Sequence, residues 1–413
     1  MAGMLPARVL RIVGMSIVFS LFLAVVAGGH WYIARGFVLD PRWGPTATSW
    51  GLAVIVLGFA LLIAAPIAER NLSRDRSRWL AWPASLWMGF AFLGLVFLGI
   101  SDVLLVIVRG VGVVVGASWG SEVQESVDRA RAIAAGLAAL GVGLHALREG
   151  LSFPRVRRVE IYLSRWPRER DGLRIAQISD IHIGALRGRA FASRLVDAVN
   201  ALEADIVAVT GDLVDGRVEH LEAEVEPFSQ LHGREGAFFV TGNHDHYSGA
   251  DEWSACVGRL GLSVLRNENR LLGCGSGAIA IVGVDDHRGS FGGEEGGEDL
   301  DRALEGLSPG VPMVLLAHDP GSFKAACGRG VDLQISGHTH AGQIWPFRYA
   351  VRLATPFVEG VHARGDSQVY VSRGTGFWGP PMRLGAPAEI TEIVLRSKAV
   401  LEETAGDRRE CPL

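Results

Sequence analysis

Side chains that bind transition metals recur at five points in the second half of the 413-residue sequence. Each cluster directly follows an apolar run: Asp180-Ile-His182, Gly211-Asp212-Leu-Val-Asp215, Gly242-Asn243-His244-Asp245, His318-Asp319 and Gly337-His338-Thr-His340. Mixed imidazole, carboxylate and amide ligands favour Mn, Fe, Zn or Co over Mg or Ca. A single Asp-x-His or His-x-His pair is more typical of a turn or a core histidine. The fivefold recurrence is what predicts one shared metal site.

An α/β domain is predicted from about residue 155, where short Val- and Ile-rich runs alternate with Gly-rich turns and helix-length amphipathic stretches. Strands are expected near residues 156–163, 174–179, 206–210, 237–241, 278–284, 313–317, 333–336, 368–372 and 389–395. Helices are expected at 190–203, 219–231 and 251–260. Since α/β sheets bind ligands beyond the carboxyl ends of their strands, the five clusters should converge there. The Gly-rich acidic stretch 288–299 is predicted to be a mobile loop.

The first quarter of the chain predicts a membrane-embedded region. Hydrophobic residues make up 49% of the sequence, and mean hydropathy is +0.25. Runs 12–34, 43–68 and 79–101 carry no Asp, Glu, Lys or Arg, and each is long enough to cross a bilayer, which takes about 20 residues. A fourth run, 132–147, is shorter and rich in Ala and Gly. We therefore expect about four transmembrane helices in residues 1–150, and the sequence excludes a wholly soluble protein.

Arginine placement predicts the orientation of these spans, because cytoplasmic loops retain basic residues. The connector 69–78 holds four arginines, whereas the connector after the first span holds only Arg35 and Arg42. Seven more arginines follow the fourth run, between Arg148 and Arg170. A four-span protein of the inner or plasma membrane with a cytoplasmic catalytic domain at 151–400 is expected, followed by a tail at 401–413.

Overall charge and cysteine content argue against a nucleic-acid-binding protein and against a disulfide-bonded protein. The net charge is −4. The chain as a whole therefore has no excess of basic residues, and we expect no nucleic-acid partner. The four cysteines are widely spaced and contain no Cys-x-x-Cys pair, which fits reduced thiols better than a disulfide framework.

The five clusters, in this order, resemble the pattern of the calcineurin-like metallophosphoesterases: DxH, GDxxD, GNH[DE], H and GHxH. The resemblance covers roughly residues 155–396. The stretches SDIHIG, SGHTHAGQIWP and SRGTGFWGPPMRLGAPAEIT are similar to the YaeI- and YkuE-like bacterial branch, some members of which carry N-terminal transmembrane helices. The resemblance implies an α/β fold in which two sheets form a β-sandwich flanked by helices, here preceded by an all-α transmembrane bundle.

The resemblance also implies a role for each residue of the pattern. The first of two divalent ions would be bound by Asp180, His182 and His340, the second by Asn243, His318 and His338, and Asp212 would bridge them. His244 would protonate the leaving oxygen, and Asp215 would orient its ring. Substrate contacts are expected from Arg373, Arg383, His246 and His287.

The predicted activity is a dinuclear-metal-dependent phosphoesterase that hydrolyses phosphodiesters or phosphomonoesters with metal-activated water. One alternative is a pyrophosphatase that acts on a nucleotide-lipid or sugar-lipid such as UDP-diacylglucosamine. Another is a non-catalytic membrane sensor or scaffold, which decay of the metal-binding pattern would have favoured. The expected partners are therefore a phosphoester substrate, lipid-linked in the first alternative, and the lipid bilayer.

Overall fold

The structure is a computed structural model that describes residues 7–114, 120–287 and 297–407. Most of the predicted loop at 288–299, the end of the predicted tail and Cys411 lie outside these ranges. Two compact units are present. One comprises Met1–Ile67 and Trp79–His145, and the other comprises Ala68–Arg78 and Ala146–Leu413. The second unit therefore includes the Arg-rich connector as well as the α/β domain, and the predicted boundary at residue 150 stays a prediction.

The first unit is helical. Its residues belong to α1 (Ala7–Ala34), α2 (Pro45–Asn71), α3 (Arg74–Val114) and α4 (Ser121–Leu151), and one end of each of the last three belongs to the second unit. Four segments are long and apolar enough to cross a membrane: Ser20–Leu39, α2, α3 and α4. Large apolar side chains such as Trp50 and Val106 are exposed, while a small buried cluster of Ile33, Ala34, Val38 and Ile55 packs between the helices. Outward-facing apolar residues are expected of a helix surrounded by lipid.

Two of these helices extend beyond the uncharged runs. Helix α3 continues past Ser101, so Asp102 lies within the helix, where its carboxylate accepts hydrogen bonds from Tyr32 and from Arg131 of α4. Helix α4 begins at Ser121, eleven residues before the apolar run at 132–147. A charged residue can remain in a helix of this kind when a neighbouring helix supplies its partner.

One six-stranded sheet carries the first three metal-binding clusters. Its strands are β1 (Arg155–Leu163), β2 (Leu173–Ile178), β3 (Ile206–Thr210), β4 (Gly236–Val240), β5 (Ser263–Val264) and β12 (Glu389–Ser397), in the order β1-β12-β2-β3-β4-β5. β2 to β5 are parallel, and β12 pairs antiparallel with β2. Helices α5 (Arg189–Asn200), α6 (Val218–Val225), α7 (Asn243–Ser248) and α8 (Ala250–Arg259) lie between these strands in sequence.

The second six-stranded sheet carries the last two clusters. It consists of β6 (Glu268–Leu272), β7 (Ile279–Gly283), β8 (Met313–Leu316), β9 (Leu333–Ser336), β10 (Gly360–Arg364) and β11 (Ser367–Val371), in the order β10-β11-β9-β8-β7-β6. The central strands are parallel, and β6 and β10 pair antiparallel at the edges. The short helices α9 (Leu300–Ala303), α10 (Phe323–Ala326) and α11 (Arg348–Ala354) follow strands of this sheet, and α12 (Lys398–Asp407) ends the described chain.

The two sheets pack face to face. Residues from both, including Ile175, Phe238, Ile281 and Ile335, form one buried cluster between them. A second cluster lies between the first sheet and α5, α6 and α8, and a third lies beside the second sheet. The predicted two-sheet α/β fold is confirmed.

All nine predicted strands are present with ends shifted by at most two residues. The structure adds β5, β6 and β10, which are short or polar. The predicted helix 219–231 is wrong in its second half: α6 ends at Val225, and a 3₁₀ turn covers Glu226–Gln230. Pro227 explains the break, because it cannot donate the next helical hydrogen bond.

Candidate metal centre

The predicted ligands follow β2, β3, β4, β8 and β9, and the structure brings them into one cluster. Five of them have left-handed backbone conformations, with φ between 48° and 70°: Asp180, His182, Asp212, His338 and His340. Such conformations are uncommon for residues with a Cβ and are concentrated at functional sites. They turn the chain sharply beyond each strand and direct successive ligands inward.

Two glycines allow the loops to approach each other this closely. A Cβ on Gly242 would lie 2.3 Å from Oδ1 of Asp212, and one on Gly337 would lie 2.3 Å from Oδ2 of Asp180. Both distances are far below van der Waals contact. A side chain at either position would therefore displace a ligand carboxylate.

Asp180, His182 and His340 form the first candidate ligand set. Nε2 of His182 lies 3.2 Å from Nε2 of His340, which in turn lies 3.3 Å from Oδ1 of Asp180. All three residues are buried. A nitrogen or oxygen atom from each residue thus faces the same small volume.

Asp212, His318 and His338 form the second set. Nε2 of His318 lies 3.2 Å from Oδ2 of Asp212 and 3.2 Å from Nδ1 of His338. Oδ2 of Asp212 is also 3.8 Å from Nε2 of His182, so this carboxylate lies between the two sets. The position suits the predicted bridging role of Asp212.

Asn243 adds an observation that favours a cation. Its Oδ1 atom is buried and has no hydrogen-bond partner among the described residues. A buried amide oxygen without a partner costs free energy unless something else satisfies it. A divalent cation held by Asn243, His318 and His338 would do so, and the donor set fits the metals that mixed N and O ligands prefer.

Neighbouring backbone atoms fix the orientation of these ligands. Nδ1 of His318 donates to the carbonyl of Thr210 across 2.8 Å, which leaves Nε2 with a lone pair for a metal. The amide of His338 donates to Asp180 (2.9 Å), and the amide of His244 donates to Oδ1 of Asp212 (2.8 Å). Each candidate carboxylate ligand is therefore held by a loop that carries another candidate ligand.

His244 and Asp215 lie beside the ligand cluster. Nδ1 of His244 donates to Oδ1 of Asp215 across 2.7 Å, and Nδ1 of His182 donates to the same oxygen across 3.0 Å. The Nε2 atom of His244 is left available to a substrate. Asp215 thus orients both a candidate ligand and the candidate proton donor.

Charge around this pair favours a protonated His244. Burial lowers the pKa of His244, but the carboxylates of Asp215 and Asp212 more than compensate and raise it to about 9. Burial would raise the pKa of Asp215, but His182 and His244 hold it below its usual range. The same kind of interaction, chiefly with His318, lowers the pKa of Asp212 well below its usual value. The carboxylates are therefore ionised at neutral pH.

Asp245 is a positioning residue that the sequence did not single out. Its buried carboxylate accepts hydrogen bonds from the amides of Gly242, Leu213 and Val214. It therefore ties the loop of Asn243 to the loop of Asp212. The Gly-Asn-His-Asp sequence was the available signal, since a short acidic side chain at the start of a helix satisfies exposed amides.

The four predicted substrate residues differ in accessibility. Nε2 of His246 lies 2.9 Å from Oδ1 of Asp285, and this side chain is largely buried. His287 is exposed, with Nδ1 3.8 Å from Oδ2 of Asp319. Arg373 is half-buried, and its Nε donates to Glu359 across 2.6 Å. His287 and Arg373 have the accessibility that substrate contact requires, whereas His246 is engaged with Asp285.

Arg383 is fully buried and lies beneath the site. It donates to the carbonyls of Gly376 (2.9 and 2.6 Å), Arg373 (2.9 Å) and Ala386 (2.7 Å), and Nη2 lies 3.3 Å from Nδ1 of His340. Burial lowers its pKa to about 10, so the group stays charged. These contacts favour a role in holding the loop around residues 373–386 and His340; substrate contact by Arg383 stays an untested prediction.

Two aromatic side chains border His244. The ring of Tyr247 is centred 5.5 Å from the imidazole, and that of Trp378 is centred 5.9 Å from it. Both side chains are more than half exposed. Trp378 lies in SRGTGFWGPPMRLGAPAEIT, one of the stretches that carry the family resemblance, whereas the sequence gave no signal for Tyr247.

Comparison with known proteins agrees with this geometry. The model of the calcineurin-like phosphoesterase family matches residues 173–342, which contain all seven candidate ligands together with Asp215 and His244. An uncharacterized metallophosphoesterase of Helicobacter pylori strain J99 is 36% identical over 268 residues, which are 63% of this chain and 69% of that protein. The chain belongs to the calcineurin-like metallophosphoesterases.

Other metallophosphoesterases resemble the chain over a similar region. A bovine transmembrane protein with a metallophosphoesterase domain is 41% identical over 255 residues, which are 59% of this chain and 57% of the bovine protein. Bacillus subtilis YkuE, an uncharacterized metallophosphoesterase, is 30% identical over 235 residues, 55% of this chain and 80% of YkuE. The match thus covers little more than half of the bovine relative. These comparisons confirm the predicted family, including its YkuE-like branch and the presence of relatives named as transmembrane proteins.

Proposed function

We propose that this metallophosphoesterase is a membrane-anchored hydrolase of phosphodiesters or phosphomonoesters that uses two divalent transition-metal ions. The observation that carries the proposal is the convergence of six side chains on two adjacent ligand sets, beside the buried, unpartnered amide oxygen of Asn243. Asp180, His182 and His340 would hold one ion, Asn243, His318 and His338 the other, and Asp212 would contact both. Two such ions would supply a nucleophile at neutral pH and neutralise charge on the phosphoryl oxygens.

The remaining groups provide proton transfer and positioning. A protonated His244 would give its Nε2 proton to the departing oxygen, while Asp215 holds the ring by its Nδ1 atom. Arg373 and His287, at accessible positions, would contact the substrate. This division of roles supports a hydrolase over a non-catalytic scaffold, because a scaffold would not need an oriented proton donor beside an intact ligand cluster.

We also propose that the catalytic domain faces the cytoplasm. The four apolar helices and the arginines at 69–78 and 148–170 support this orientation. An even number of crossings returns the chain to the side on which it began.

The direct test is hydrolysis by the purified full chain. Bis(p-nitrophenyl) phosphate, p-nitrophenyl phosphate, cyclic nucleotides and lipid diphosphates would each be assayed with Mn, Fe, Zn and Co in turn. We expect turnover of at least one class, loss of it in strong chelator and recovery on adding metal. Full activity in chelator, or no turnover of any class with any metal, would contradict the proposal.

A further inference from the structure

The second unit has an exposed aromatic and basic segment, residues 345–353 (WPFRYAVRL), which we call the aromatic ridge. Phe347 is 48% exposed, Tyr349 is 54% exposed and Leu353, on α11, is 91% exposed. Other exposed apolar side chains of the described α/β domain, such as Val156 and Leu271, lie far apart in sequence. Scattered apolar residues are ordinary on a protein surface, but a cluster of this kind marks a contact surface.

Arginines alternate with the aromatic residues of the ridge. The Arg352 guanidinium lies 5.9 Å from the ring centroid of Tyr349. Arg348 and Arg373 both donate to the carboxylate of Glu359, and Nε of Arg373 also lies 3.9 Å from Oε2 of Glu389. Aromatic side chains combined with arginine are typical of segments that lie in the headgroup region of a bilayer, where the cations attract anionic lipids.

The chain that leads into the ridge is bonded to the loop of Trp378. Gln343 donates to the carbonyl of Trp378 (2.9 Å) and accepts from the amide of Trp378 (2.9 Å). Trp378 in turn borders His244. Two hydrogen bonds therefore join the chain just before the ridge to the backbone of the residue that borders the proposed proton donor.

The end of a helix that is apolar and long enough to span a membrane belongs to the same compact unit as the ridge. Helix α4, which is apolar and long enough to span a membrane, ends at Leu151, and β1 begins at Arg155. Three intervening residues extend over at most about 10 Å. A second copy of the chain could cover the ridge by twofold symmetry. Arg348 and Arg352 of each copy would then face those of the other, and repulsion between the like charges disfavours that arrangement. A bilayer with anionic headgroups satisfies both the aromatic and the basic side chains.

We infer that the aromatic ridge lies in the headgroup layer of the membrane and presents the metal centre to phosphoesters of membrane lipids. The docking of the ridge stands on its own composition and exposure. The substrate class, a lipid whose phosphoester lies in the headgroup layer, rests in addition on the proposed hydrolase function. Such a substrate would reach His244 along Trp378 without leaving the bilayer.

Depth measurement by spin labelling tests the docking without reference to activity. A nitroxide at Leu353→Cys would be compared with one at Leu271→Cys, which is also exposed but lies on β6 at the edge of the second sheet. The full chain would carry Ser at Cys274, Cys327 and Cys411, retain buried Cys256, and be reconstituted in nanodiscs of phosphatidylcholine and phosphatidylglycerol. The same chain without an introduced cysteine gives the background.

We expect the label at residue 353 to be accessible to oxygen and shielded from a water-soluble nickel complex, and the label at residue 271 to show the reverse. Equal nickel accessibility at the two positions would overturn docking. Spin–spin broadening at residue 353 in nanodiscs that hold two copies would also overturn it, because the ridge would then contact a second copy.

An activity comparison tests the substrate class. Leu353→Glu should lower hydrolysis of a dialkylglycerol p-nitrophenyl phosphodiester embedded in the nanodisc by about tenfold, the ratio that corresponds to the burial of one leucine side chain. It should leave hydrolysis of soluble bis(p-nitrophenyl) phosphate unchanged, and Leu271→Glu should alter neither. Equal loss on both substrates, or on neither, would overturn the substrate class. Failure of the unmodified chain on both substrates would instead contradict the proposed function, and the depth measurement would still decide the docking.

Discussion

His244 donates from Nδ1 to Oδ1 of Asp215 across 2.7 Å. The hydrogen bond fixes the ring so that Nε2, the other nitrogen, is left for the substrate. Burial opposes the imidazolium form, but the negative charges of Asp215 and Asp212 outweigh it and stabilise that form. The hydrogen bond therefore suits a proton donor, while His244 also lies within 4.8 Å of ligand atoms of His182 and Asp212.

Substitution of His244 should have a larger effect on substrates with poor leaving groups. An alkoxide cannot depart without a proton, whereas a nitrophenolate can. We expect His244→Asn to lower the rate on alkyl phosphodiesters by about 10²- to 10⁴-fold, to lower it clearly less on nitrophenyl esters, and to leave metal content unchanged. Steady-state rates on the two ester types and elemental analysis would measure this.

Asp215→Asn is a second variant for the same experiment. It should show the same difference between the two ester types, with smaller losses. It leaves the imidazole in place but weakens its orientation and its protonated form. Equal losses on both ester types in His244→Asn would indicate positioning or electrostatics instead of proton donation. Loss of metal would make His244 a ligand.

Removal of the Arg383 guanidinium should weaken the structure around His340. In Arg383→Met, the buried carbonyls of Gly376 and Ala386 lose their donors, and each unsatisfied group costs about 1–3 kcal/mol. We expect a lower melting temperature and weaker metal binding. Arg373→Met, at a half-exposed position, should raise KM with little change in melting temperature. A rise in KM alone for Arg383→Met would instead assign Arg383 to substrate contact.

The His246–Asp285 pair should make stability depend on pH. In the folded chain, Asp285 raises the pKa of His246 although burial opposes this, and hydrogen bonds from His246 and Arg266 lower the pKa of Asp285. The contribution of His246 is therefore complete below its unfolded pKa of about 6.5 and is lost as pH rises through its higher folded value. The contribution of Asp285 is lost only in strong acid.

We therefore expect His246→Asn to lower the melting temperature most near pH 5 to 6. The loss should be a few degrees, because a charge-assisted hydrogen bond contributes about 1.5–3 kcal/mol to the free energy of unfolding. The difference should shrink toward pH 9. His232→Asn, at an exposed position, is the control and should change little at any pH. A deficit for His246→Asn that grows as pH rises would show that the sign is wrong.

Reporter fusions should establish the orientation of the catalytic domain. Alkaline phosphatase, which is active only outside the cytoplasm, would be fused after Arg148 and after Leu413. We expect no activity at either position and full activity after Arg42, in the connector between the first two spans. Strong activity after Arg148 would show that α4 does not end in the cytoplasm.

Much of this site follows from residue types and their order. Apolar runs marked the strands, and metal-binding side chains directly after them marked the candidate ligands, because strand ends of an α/β sheet meet at one edge. The two-sheet arrangement came from the resemblance to a known family. Neither source predicts the left-handed backbone at Asp180 and His182, because that conformation is set by contacts between loops from different strands.

Other features depend on partners distant in sequence. The edge strands β5, β6 and β10 are short or polar and pair only because a neighbouring strand is already in place. Helix α3 continues through Asp102, where the apolar run ends, and Arg131 of α4 supplies a positive charge. Arg383 was a plausible phosphate contact by residue type, and only the folded structure shows that its guanidinium is surrounded by carbonyls.

Metal stoichiometry tests the central claim most directly, since Asp212 lies between the two ligand sets. Elemental analysis of the purified full chain should give about two transition-metal ions per chain, as a two-metal phosphoesterase site requires. Asn243→Ala should lose one of them, and Asp212→Asn should lose both together with activity. One ion in the unmodified chain, or two ions retained in Asp212→Asn, would contradict a dinuclear centre that shares this carboxylate.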